Sequence, residues 1–88
     1  MTVGSTHTKN PAIAWDIAAT AKADAGEKIQ RVQILVNGSS EYDKSFEPPI
    51  SNWQAQLHQQ GQFPGDNTVE VVITSDKGED TNSIDSWN

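Results

Sequence analysis

Two histidines, His7 and His58, are the only side chains in this 88-residue chain of the type that moves protons most readily near neutral pH. His7 lies in a small, polar stretch at the start of the chain. His58 alternates with Gln54 and Gln56, which places it on the solvent side of an extended segment rather than in a pocket. A hydrolytic site would need an ionisable partner beside His58, and no strained G-x-S-x-G turn surrounds any serine. The chain has no cysteine, which excludes disulfides, Cys-ligated zinc and thiol catalysis. These features together predict a non-enzymatic protein.

The acids gather in loop-like stretches: Asp66, then Asp76, Glu79, Asp80 and Asp85. Oxygen-rich loops can hold Ca²⁺, which takes roughly six to eight oxygens, and Asp76 and Asp80 in D-K-G-E-D are the candidates. The run lacks the bidentate glutamate of a calcium loop, since the twelfth position is Trp87, and a solvated turn is the preferred reading; no cofactor is expected. A net charge of −6, with six basic residues scattered among twelve acids, disfavours nucleic acid and anionic membranes. No apolar run is long enough to span a bilayer, so no membrane insertion is expected. No basic segment followed by an apolar one opens the chain; if the protein is secreted, its signal has been removed.

An exposed indole can stack on a sugar ring, so the three tryptophans are candidates for a carbohydrate platform. Trp15 shares its alternating face with Ile13 and Ile17, and Trp53 with Leu57, which assigns both to a core. Trp87, among polar residues, is the one expected to be accessible.

The elements that must position these residues are short and mostly extended. Residues 1–10 read as a flexible lead or a partial edge strand, and residues 11–88 as a single domain. The stretch P-A-I-A-W-D-I-A-A-T-A-K-A-D-A-G is ambiguous. Asn10 as cap, Pro11 at the first position, many alanines and a closing Gly26 describe a helix over 11–25, whereas Ile13, Trp15, Ile17 and Ala19 alternate as in a strand. Residues 29–36 are β-branched and alternating and run into Asn37-Gly38, the strongest short hairpin signal. A returning strand reaches Phe46 before Glu47-Pro48-Pro49 interrupts pairing. Residues 52–59 alternate again, with a short helix as the alternative. Residues 61–67 read as a loop carrying Phe63, 68–74 as a strand, and 81–87 as a last strand presenting Ile84 or Trp87 to the sheet. Short strands at regular spacing with Gly/Pro/Asn turns predict an all-β antiparallel sandwich of about six or seven strands; an α+β fold with a helix over 11–25 is the alternative.

Four features resemble the bacterial immunoglobulin-like (Big- or fibronectin III-like) β-sandwich modules: the strand I-Q-R-V-Q-I-L-V-N-G, Trp53 with Leu57 four residues on, P-G-D-N-T-V-E-V-V-I-T, and the turn S-D-K-G. They span about two thirds of the chain, each motif being short. The resemblance implies a strand rather than a helix before residue 29, and a role as spacer, adhesive surface or sugar-binding platform in an extracellular or cell-surface protein. It also implies that strands 29–36 and 68–74 are neighbours in one sheet. With Val32, Ile34, Val36, Val69, Val71 and Ile73 inward, Leu35 and Val72 point outward, and together with Trp87 or Ile84 they form the candidate binding surface. Asn37-Gly38-Ser39 fits a glycosylation sequon, but its residues suit the turn. The leading expectation is a non-catalytic structural or interaction module whose partners are neighbouring domains or another protein; the alternative is a carbohydrate-binding accessory domain.

Overall fold

The computed structural model describes residues 1–10, 14–60 and 66–87. Ile13, Phe63 and most of the loop expected at 61–67 lie outside these. The described residues contain no helix and form seven strands: β1 (Thr2–Asn10), β2 (Ala14–Lys22), β3 (Ile29–Val36), β4 (Ser39–Ile50), β5 (Asn52–Gln60), β6 (Asn67–Ser75) and β7 (Asp80–Trp87). They build two antiparallel sheets, a three-stranded one in the order β1-β2-β5 and a four-stranded one in the order β4-β3-β6-β7. The result is an all-β sandwich compatible with an immunoglobulin-like fold.

Alternation puts one face of each sheet into a shared core. Ile17, Ala19, Ala21 and Trp53 come from the first sheet, and Ile29, Val32, Ile34, Val36, Val69, Val71 and Ile73 from the second. Tyr42, Phe46, Leu57 and Trp87 pack around this centre.

Of the ambiguous segment, Ala14–Lys22 is β2, the middle strand of its sheet, paired with β1 on one side and β5 on the other, while Pro11, expected at the first helical position, lies outside the described residues. Two flanking partners satisfy both sides of its backbone, and this outweighs the helical propensity of its alanines. The alanines have a packing role instead. Ala21 lies directly opposite Trp53 and Ala19 opposite Ala55, so small side chains on β2 make room for the indole. Residues 52–59 are likewise strand, not helix.

Within residues 1–10, expected as a lead or partial edge strand, Thr2–Asn10 form β1, which pairs with β2 from Thr2↔Lys22 to Asn10↔Ala14. Asn37 and Gly38 join β3 to β4 with φ of 51° and 82°, the two positive values a type I′ turn demands. Asn37 also ties this turn to β6: its Oδ1 accepts from Thr68 N at 2.8 Å and its Nδ2 donates to Asn67 Oδ1 at 3.1 Å. The sequon amide is therefore part of the fold. The β3–β4 register moves from Arg31↔Ser45 to Ile29↔Ile50, passing over residues 46–49, where the two prolines sit.

Candidate functional site

Leu35 and Val72 lie on the outer face of the four-stranded sheet, both half-buried, on the neighbouring strands β3 and β6. They are diagonal rather than opposite. Leu35 faces Glu70, and Val72 faces Gln33. Ile84 faces Glu70 from the other side and is 62% exposed, so Leu35, Val72 and Ile84 form a bent line of aliphatic side chains with Glu70 in its angle. Polar pairs frame it. Arg31 donates to Asp43 through Nε at 2.9 Å and Nη2 at 2.7 Å, Asn82 Nδ2 donates to Glu70 at 2.9 Å, and the Thr74 hydroxyl donates to Asp80 at 2.7 Å. The Arg31 guanidinium holds the Asp43 carboxyl below the usual carboxylate range through this hydrogen bond, and Asp43 in turn raises Arg31.

Trp87 does not join this face. Ile84 and Trp87 are an odd number of residues apart and must point to opposite sides of β7; Ile84 points out and Trp87 points in. There it meets His7, ring on ring at 4.0 Å between centroids and 9° between planes, with Trp15 at 5.1 Å. His7 also packs edge-on against Trp15 at 5.6 Å, and its Nδ1 is 2.5 Å from Asp85 Oδ2. This cluster joins β1 and β2 of one sheet to β7 of the other. The Trp87 indole N–H is buried in it without a hydrogen-bond partner among the described residues. Accessibility was the expectation for Trp87, and the inward phase of β7 replaces it with a half-buried ring covered on one face.

Trp53 is only 7% exposed and donates from Nε1 to the Tyr42 hydroxyl at 3.2 Å. It serves the core, as its alternation with Leu57 implies.

His58 faces outward as expected, but it has an acid: Asp16, its direct cross-strand neighbour, is 2.6 Å away through Oδ1. This is the ionisable pair that a hydrolytic reading requires. Its setting is an open strand surface, with the two side chains 46% and 52% exposed. A shallow hollow of about 520 Å³ beside them is lined by Thr6, Thr8, Ala18 and Gln56. Thr8 stands on the far side of Asp16 from His58, so the order across the sheet is hydroxyl, acid, histidine. A nucleophile relay needs the histidine in the middle.

The acidic turn is used structurally. Asp76 Oδ1 accepts from Lys28 N at 3.0 Å and Asp76 N donates to Lys28 O at 2.9 Å, which joins the β6–β7 turn to the β2–β3 loop. Asp80 is engaged with Thr74, and among the described residues no three acids or histidines converge on a point where a metal ion could sit.

No described helix is long and apolar enough to cross a membrane. Compared with protein-family models and with curated proteins, the chain matches none.

Proposed function

We propose that this chain is a non-catalytic immunoglobulin-like module, of the Big or fibronectin III-like kind, in a bacterial secreted or surface protein. In this reading it acts as a spacer in series with its neighbours and as a surface for protein contact. The observation that carries the reading is strand parity. Seven antiparallel strands are an odd number, so Thr2 lies at one end of the sandwich beside Lys22, and Trp87 lies at the other beside Asn67. The long axis measures 42 Å against 18 and 17 Å across. A chain that enters at one end and leaves at the other adds the whole length of the domain to whatever it joins. The aliphatic line of Leu35, Val72 and Ile84, framed by polar pairs, supports contact with a neighbouring domain or partner protein.

A carbohydrate platform has weaker support, because it needs an open indole face, and Trp53 is buried while Trp87 carries His7 across one side. An enzymatic reading is disfavoured by the open setting and order of Thr8, Asp16 and His58.

The test is small-angle scattering from two copies joined head to tail, at dilute concentration. An in-line module gives a rod about twice the 42 Å axis of one copy. A pair folded side by side, with a maximum dimension close to that of one copy, overturns the spacer reading. Tryptophan fluorescence that shifts saturably with a polysaccharide overturns the preference for protein contact.

A further inference from the structure

A sandwich of open sheets has four edge strands, here β1, β4, β5 and β7. Such edges are templates for further pairing unless charge, proline or coverage protects them. Three are protected. β1 and β7 lie against each other across the sandwich, joined by His7, Asp85 and Trp87. β4 carries Glu41, Asp43, Lys44 and Glu47, and then Pro48 and Pro49. β5 is different. Its nine residues, N-W-Q-A-Q-L-H-Q-Q, include no proline, no lysine and no acid. Its pairing to β2 occupies one side, and no backbone hydrogen bond from the described residues reaches the other.

We propose that β5 is a homodimerisation edge, at which two copies of this chain pair antiparallel and merge their three-stranded sheets into one of six strands. The occupant follows from the strand's own sequence. A two-fold contact brings each residue opposite its own mirror position, so the strand must complement itself. Full overlap of Asn52–Gln60 centres on Gln56. Gln56 then meets Gln56 of the second copy, Gln54 meets His58, and Ala55 meets Leu57. Each glutamine amide both donates and accepts, so a Gln–Gln pair is satisfied without any charge. On the inner side Ala55 and Leu57, each half-buried at the margin of the core, cover one another. No like charges oppose along the strand, although the chain as a whole carries −6.

One strand pair covers less than the roughly 1,200 Å² of a standard interface, so the dimer is expected to be weak, with dissociation in the micromolar to millimolar range. Sedimentation equilibrium across that range tests it. The wild-type chain should shift from monomer to dimer, and Gln56→Lys, which sets two like charges together at the two-fold, should raise the dissociation constant at least about tenfold. An equimolar mixture of Gln56→Lys and Gln56→Glu should dimerise again. Gln56 is exposed, and circular dichroism with thermal melting should show both variants folded as the wild type is. A chain that stays monomeric into the millimolar range, leaving the edge to an extended segment of another protein, overturns the proposal. So does a dimer that Gln56→Lys leaves intact, or a mixture that fails to restore pairing.

Discussion

Ile34 and Ile84 have the same side chain in opposite surroundings. Ile34 is fully buried between the sheets, and Ile84 is 62% exposed on the outer face. Truncating Ile34 to alanine removes buried methyl groups and leaves a cavity, costing about 2–5 kcal/mol, a large part of the roughly 5–15 kcal/mol that holds a domain together. Ile84→Ala is expected to change stability by no more than about 0.5 kcal/mol. Urea denaturation of the two variants measures the difference. Tyr42→Phe isolates a polar contribution. It leaves the Trp53 indole N–H without its acceptor and is expected to cost about 1–3 kcal/mol, measured the same way. The Arg31–Asp43 pair gives a dependence on pH whose sign is set. Folding lowers the Asp43 pKa, so on acidification the unfolded chain takes up this proton first. The pair's contribution is complete above the ordinary carboxylate pKa of about 4 and is lost as pH falls through the depressed value. The urea midpoints of wild type and Asp43→Asn should keep a constant separation at neutral pH and converge in acid.

At the scale of elements, the β3–β4 hairpin rests on two residues with positive φ. Gly38→Ala introduces a Cβ at φ 82° and is expected to destabilise by about 1–2 kcal/mol, seen as a lower thermal midpoint. This hairpin was legible in advance, because Asn-Gly after an alternating run states its geometry locally, and so were β3 and β6, whose β-branched alternation has no helical rendering. β2 was not. Its alanines are compatible with either structure until Trp53 and Ala55 of β5 are known to lie opposite, and that contact spans more than thirty positions of sequence. β7 hid something different. Ile84 and Trp87 cannot share a face, and only the nearness of β1 decides that the indole turns inward. Of the expected surface, Leu35 and Val72 were readable from alternation, and their diagonal offset was not, since it depends on the β3–β6 register. The pairing of Asp16 with His58 likewise awaited the register of β2 against β5.

At the scale of the whole molecule, β1 and β7 run in the same direction, as the antiparallel order within each sheet and the shared end near Lys22, Ile29 and Ser51 require. They belong to different sheets and share no ladder. What holds them together is the seam of His7, Asp85, Trp15 and Trp87. The odd strand count gives this seam a mechanical meaning. When the chain is stretched from its two ends, β1 is drawn one way and β7 the other, and the load reaches the seam as shear before either sheet is peeled. His7→Ala is therefore expected to lower the rupture force in single-molecule pulling more than Ile84→Ala does, since Ile84 lies on the same last strand but outside the seam. In a protein anchored at one end and tugged at the other, a histidine, a carboxylate and two indoles would set how much strain the module withstands before it lengthens.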